Sequence, residues 1–266
     1  MMNAVLKYPG AKHRLAKWIN EYIPTHTVYL EPFFGSGAIF FYKNKSHIET
    51  INDLNDDVVN FFKVLRDKPN EFIDAIYFTP YSRTEYKESY ICSEKDTDIE
   101  KARKFCVRCW QGFGCSNRYQ NGFKSGQQTK SPNPARAFAK LPETLQFAAQ
   151  RLKNVQIENL PAVELLNRYD TEDVFVYCDP PYVSDTRKGY LYKHEMTNEE
   201  HVELLNILKK HPGRILLSGY DNEIYNDILT GWKKAKQITT AEGGVKRTEV
   251  LWMNYDTGQI KLDIHI

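Results

Sequence analysis

The chain has 266 residues, of which 41% are hydrophobic and 26% charged, and its formal net charge is +2. That balance is ordinary for a globular protein with a real core, either one large domain or a domain carrying an inserted lobe. It excludes a helical membrane protein, because no run approaches the ~20 apolar residues a span needs.

Near the start, "MMNAVLKYPGAKHRL" has no apolar stretch of the secretory kind, so a cytoplasmic location is expected. "HRLAKWINEYI" (13–23) has apolar residues at helical spacing and ends at Pro24. "TVYLEPF" (27–33) is a short β-type run, and "GSGAIFFYKN" follows as a glycine turn and then a helix. "ETINDLND" (49–56) is a second strand ending in acids, and "DDVVNFFKVLRDKPNEFIDAIYF" reads as helices interrupted at Pro69. Helix, strand, glycine loop, helix, strand and acid open a doubly wound α/β sheet.

The character then changes. From Lys101 to Lys140 there are nine basic residues (Lys101, Arg103, Lys104, Arg108, Arg118, Lys124, Lys130, Arg136 and Lys140) and no acid. "KARKFCVRCWQ" reads as a helix, with Cys106 and Cys109 on one face. With Cys115 they could suggest zinc, but no fourth ligand stands nearby, and no metal is expected there. The five cysteines (Cys92, Cys106, Cys109, Cys115 and Cys178) suit free thiols in a reducing compartment. "GFGCSNRYQNGFKSGQQTKSPNP" (112–134) is turn-rich, with Phe113, Tyr119 and Phe123 interleaved. A basic, aromatic, turn-rich face suits a phosphate backbone and unstacked bases, although a solvated loop would also carry such charge.

The α/β rhythm returns after Phe138. "LPETLQFAAQRLKN" is a helix, "VQIENL" a strand, "PAVELLNRY" a short helix and "VFVYCDPPY" a strand. "TNEEHVELLNILKKH" (197–211) begins with a capping box of Thr197 and Glu200. "RILLSGY" (214–220) is a strand, "NEIYNDILTGW" a helix, and "TEVLWMNY" (248–255) a late alternating strand.

Three clusters carry chemistry. "EPFFGSGAIFF" places Gly35 and Gly37 between a strand and a helix, where backbone approaches a ligand closely. Asp53 ends the next strand, where an acid accepts hydrogen bonds from ribose hydroxyls; alone it would pass for a helix cap. Together they point to a nucleoside-containing cofactor. "DPPY" (179–182) ends a strand at the ligand-binding edge of the sheet. Asp179 offers a carboxylate, Pro180 and Pro181 hold the turn rigid, the Pro180 carbonyl is left to accept, and Tyr182 presents a ring. Two acceptors beside a stacking surface fit an exocyclic amino group on a flat base.

Taken in order, "KYPGAKHRL", "EPFFGSGA", "NDLN", "CSNRYQNGFKSG", "YCDPPY" and "ILLSGY" resemble the Dam-type, S-adenosylmethionine-dependent DNA adenine methyltransferases of the alpha group, over nearly the whole chain. The resemblance implies a Rossmann-like methyltransferase sheet with an inserted helical and hairpin recognition lobe. Residues 1–60 and 141–266 would form the cofactor-binding catalytic domain, and 61–140 the lobe. Tyr8, Lys12, Glu31, Phe33, Gly35, Gly37, Asp53 and Asp179 would line the S-adenosylmethionine site, with Lys12 meeting the methionine carboxylate. Where the family has Trp-x-Gly-Gly-Lys, this chain has Tyr8-Pro9-Gly10-Ala11-Lys12, so one glycine is lost. Asp179, Pro180, Pro181 and Tyr182 would be catalytic. Arg118, Asn121 and Lys124 would contact DNA.

The expected reaction moves a methyl group to N6 of an adenine flipped from double-stranded DNA. Flipping is required because the amino group is unreachable inside the stack. A methyltransferase acting on cytosine N4, RNA or a protein amide would share the cofactor half. A silent DNA-binding relative should have lost Asp179 or the glycines. A nicotinamide-dependent oxidoreductase gives no reason for Asp-Pro-Pro-Tyr. Restriction–modification, mismatch marking and phage self-protection all need the same chemistry.

Overall fold

In a computed structural model, residues 4–114, 119–126, 133–183, 192–240 and 246–257 are described. Seven strands form one sheet in the order β3-β2-β1-β4-β5-β7-β6. They are β1 (Val28–Glu31), β2 (Ile48–Asn52), β3 (Gln156–Glu158), β4 (Val174–Cys178), β5 (Arg214–Tyr220), β6 (Lys233–Thr240) and β7 (Lys246–Met253). The first five run parallel, whereas β7 is antiparallel to both β5 and β6. The sheet reverses direction of growth between β1 and β4, and the crevice beyond the carboxyl ends of those strands is where open α/β sheets bind ligands.

Strand periodicity sorts the core onto two faces. Tyr29, Phe175, Tyr177 and Leu216 enter one buried cluster; Leu30, Val174, Val176, Cys178, Ile215 and Leu217 enter the other. With both faces covered, β4 is buried at every position, which is why its sequence is a continuous apolar run.

Eleven helices are present among the described residues: α1 (Ala16–Asn20), α2 (Ala38–Tyr42), α3 (Asp56–Asp67), α4 (Pro69–Tyr77), α5 (Arg83–Glu88), α6 (Asp98–Gln111), α7 (Pro134–Ala139), α8 (Leu141–Leu152), α9 (Ala162–Arg168), α10 (Asn198–Lys210) and α11 (Glu223–Ile228). Pro69 does separate two helices, entering at the first turn of α4, where its missing amide is not needed. The capping box on α10 forms as expected. The first helix is shorter than its pattern, five residues rather than eleven, with the flanking residues in turns.

Phe61 and Phe62 of α3, Phe72 of α4 and Phe105 of α6 are buried in the same cluster as Phe34 and Phe40. Helices within the expected 61–140 lobe therefore share the core of the sheet rather than forming one of their own. Cys106 and Cys109 lie on the buried face of α6. After α6 the chain doubles back: the Phe113 amide donates to the Gly122 carbonyl at 2.6 Å, and the Lys124 amide to that of Gln111 at 2.8 Å. These bonds, with a Gly112–Phe123 bridge, make the base of a hairpin.

Candidate active site

At the switch point lies an open pocket with about 830 Å³ of empty space, mouth included. Tyr8, Lys12, Glu31, Phe33, Gly35, Asp53, Asp179 and Pro181 all line it. Residues scattered from 8 to 181 meet because β1, β2 and β4 end together at one edge.

The glycine loop follows β1. Gly35 and Gly37 have φ of 50° and 65°, the left-handed region that side chains disfavour. A Cβ on Gly37 would come within 2.4 Å of the Phe34 ring, so this glycine turns the chain into α2 and does not itself line the pocket. Asp53 ties the loop to β2: its carboxylate accepts from the Gly35 amide at 2.8 Å and from the Asn55 amide at 2.9 Å. Burial pushes Asp53 up to about 6 despite these two bonds. Asn55 caps α3 and donates to the Tyr8 hydroxyl at 3.2 Å, which fixes that aromatic wall.

The second half of the site is an ion cluster at the ends of β4, β5 and β7. Asp179 Oδ1 accepts from Ser218 Oγ at 2.8 Å, and its Oδ2 lies 2.8 Å from Lys12 Nζ. Lys12 also donates to the Gly10 carbonyl at 2.9 Å and lies 4.0 Å from Glu249. Its ammonium sits 4.7 Å from the centre of the Tyr182 ring. Burial would lower the lysine's affinity for its proton, but Asp179 and Glu249 outweigh that, so Lys12 is held above the ordinary lysine value. The Tyr182 hydroxyl donates to Glu249, and its ring meets that of Tyr220 edge-on, centroids 4.4 Å apart. Pro180 is buried. Tyr182 is half-buried beside the pocket rather than on its wall.

Of the other lining residues, sequence reasoning named Glu200 only as a helix cap, held Asn55 only within the "NDLN" motif, and did not single out Tyr192, His194, Glu195 and Met196. Nor did it find Ser218 and Glu249. Ser218 lay within the quoted "ILLSGY" motif. Glu249 gave no signal, because an acid in an alternating strand reads as solvent-facing.

Of the expected DNA contacts, Arg118 lies outside the described residues. Asn121 and Lys124 sit in the hairpin, where their carbonyls accept from the Tyr86 and Tyr81 hydroxyls at 2.8 and 2.7 Å. The acid-free segment is less positive in space than in sequence. Arg103 is paired with Glu85 and Glu100, Lys104 with Asp96 at 2.7 Å, and Arg108 approaches Asp57 at 3.6 Å. All four acids lie outside the 101–140 window. On the other side, the Arg83 guanidinium adds a cation at the hairpin, 5.0 Å from the Phe123 ring centre.

Among the described residues, five acids (Glu31, Asp53, Asp179, Glu195 and Glu200) and one lysine line the pocket. Aromatic walls, acceptors at a glycine loop and an excess of acid fit a ligand with a nucleoside end and a cationic end. Together with the sheet order, this fits a Rossmann-like S-adenosylmethionine-dependent methyltransferase. The sequence model of the D12 class N6 adenine-specific DNA methyltransferases matches residues 8–242, and the chain belongs to that family. It is an enzyme that methylates adenine in DNA, with S-adenosylmethionine as methyl donor.

The chain is 25% identical to the type II methyltransferase M1.LlaDCHI of Lactococcus lactis subsp. cremoris, over 94% of each chain. It is 25% identical to M.MjaIII of Methanocaldococcus jannaschii, covering 94% of this chain and 98% of that one. It is 23% identical to the DNA adenine methylase of Escherichia coli K12, covering 97% and 96%. Among solved structures, an rRNA methylase from Streptococcus thermophilus is similar at a TM-score of 0.37 and 10% identity, covering 91% of this chain and 95% of that one.

Glu31 makes the site's chemistry testable through stability. Burial pushes its carboxyl up to about 8, opposed by the hydrogen bond from Tyr29 at 2.7 Å, with Asp179 adding to the rise. The folded state therefore holds this proton more tightly than the unfolded chain does. Its stabilising contribution is complete below the ordinary value of 4.5 and is lost as pH rises through about 8. Glu31→Gln is expected to flatten the fall in Tm across that window. Thermal melts at several pH values check this, and an unchanged slope would place the cost in other groups.

Proposed function

We propose that this enzyme methylates a target adenine flipped out of double-stranded DNA, in the cytoplasm, with Asp179, Pro180, Pro181 and Tyr182 at the reacting centre. The observation that carries this reading is the position of Asp179, braced by Ser218 on one oxygen and Lys12 on the other, at the rim of the acid-rich pocket. Each carboxylate oxygen retains a further lone pair for an amino proton. The Pro180 carbonyl takes the second proton, and Tyr182 offers its ring to the base. Holding both protons turns the nitrogen lone pair out of conjugation, so these groups act by position and electrostatics. Asp53 and the Gly35 loop would hold the nucleoside end of S-adenosylmethionine, and Glu31, Asp179 and Lys12 its amino-acid end. When bound, it supplies an electrophilic sulfonium methyl.

Recognition is assigned to the 61–140 region, with Asn121 and Lys124 of its hairpin, and Arg118, contacting DNA. A restriction–modification partner and a stand-alone methylase would both work this way. Incubating the protein with labelled methyl donor and matched duplex and single-stranded DNA tests the reading. N6-methyladenine is expected to accumulate at defined sites in the duplex. Transfer confined to single strands would overturn it. On the duplex, Lys124→Ala is expected to weaken binding to all sequences and to reduce the salt slope by about one unit. Unchanged binding would remove Lys124 from the interface.

A further inference from the structure

We infer that Glu249 is a positioning residue for methyl transfer, acting through Tyr182 and Lys12. Glu249 is not part of the pocket wall, and only 2% of its surface is exposed. It is followed along β7 by the buried apolar residues Val250, Leu251 and Trp252. Burying an acid in such a strand is costly unless it is paired. Its partners are the hydroxyl of Tyr182, at the reacting centre, and, at 4.0 Å, the ammonium of Lys12, which braces Asp179.

The antiparallel register explains how it reaches them. Glu249 lies opposite Tyr220, and Cys178, the residue before Asp179, lies opposite Leu217, the residue before Ser218. Asp179, Ser218, Tyr220 and Glu249 thus stand on one rim. Tyr182 is then held at two points, its hydroxyl by Glu249 and its ring by Tyr220, which removes the freedom that would let the ring swing away from the base. Glu249 also gives Lys12 a second anion. When an amino group comes to Asp179, the ammonium can lean toward Glu249 without being left unpaired in a buried site.

The inference rests on the assignment of Asp179 and Tyr182 to the reacting centre, so the experiment carries a control for it. Single-turnover transfer on duplex DNA is measured for Glu249→Ala, Glu249→Gln, Tyr182→Phe, the double variant Glu249→Gln with Tyr182→Phe, and Asp179→Ala. Cofactor and DNA affinities are measured separately. Glu249→Ala is expected to bind both ligands as the wild type does but to transfer about tenfold to a hundredfold more slowly, within the range of coupling in one hydrogen-bonded network. Glu249→Gln keeps an acceptor oxygen for Tyr182 and should recover part of the rate. The double variant should be no slower than its slower parent.

A wild-type rate in Glu249→Gln and Glu249→Ala, or losses that multiply in the double variant, would overturn the inference. Should the alanine protein fail to fold, the near-isosteric Gln and Phe pair still decides the question by its additivity. An active Asp179→Ala protein would instead overturn the reading of the reacting centre itself.

Discussion

Replacing Asp179 with alanine is expected to stop methyl transfer, with a loss of about 10³-fold, the scale seen when a preorganised hydrogen-bonding group is removed from a reacting centre. The same change deprives the buried Lys12 of its partner at 2.8 Å. Breaking a buried pair costs about 3–5 kcal/mol when the remaining charge is stranded. Here the Gly10 carbonyl and Glu249 stay within reach of the ammonium, so the penalty falls below that range and the protein remains folded. Asp179→Asn keeps an oxygen for Ser218 and gives up the charge, so slow transfer should persist. Rapid-quench assays with thermal melts on the same samples separate chemistry from folding. A folded alanine variant turning over at the wild-type rate would remove Asp179 from the reaction.

Asp53→Ala is expected to cost the enzyme most of its affinity for S-adenosylmethionine while leaving DNA binding nearly intact. The carboxylate does two jobs at once: it accepts from the Gly35 and Asn55 amides, and it faces the pocket. Losing one hydrogen bond to a charged group costs about 1.5–3 kcal/mol, roughly 10- to 150-fold in affinity, before any loosening of the glycine loop is counted. Lys12→Ala should behave differently. Its ammonium is committed to Asp179 and Glu249, so its loss should depress transfer as well as cofactor binding. Calorimetry with the cofactor alone, beside DNA titrations, tests both. Unchanged cofactor affinity in Asp53→Ala would move the nucleoside site elsewhere.

The central parallel strands were legible because burial on both faces leaves short runs such as "VFVYC", rich in β-branched and aromatic residues and bounded by turn residues. The pocket was legible because its parts sit at strand ends marked by glycine, acid or proline. β6 was not. "KKAKQITT" has no apolar face to mark it as a strand, and its lysines suit an edge, where they discourage edge-to-edge association. The six-residue helices α5 and α7 were also missed; α7 opens at Pro134, the last residue of the turn-rich 112–134 stretch. The basic segment misled in a different way. Its cations on α6 are answered by Asp57, Glu85, Asp96 and Glu100, and pairing across elements cannot be read from a one-dimensional charge count. Glu249 was invisible for the same reason, because only the register of β7 against β5 brings it beside Tyr182.

The antiparallel entry of β7 has a consequence for how the enzyme comes into being. The parallel strands and the described wall of the pocket are all encoded before residue 221, yet the ion cluster joins Lys12 to Glu249 in β7. Chains emerge from the ribosome in order, and structure follows synthesis. A nascent or prematurely terminated chain can therefore assemble most of the sheet without its final strut. A fragment lacking β7 would be left without the Glu249 partner of Lys12 and Tyr182.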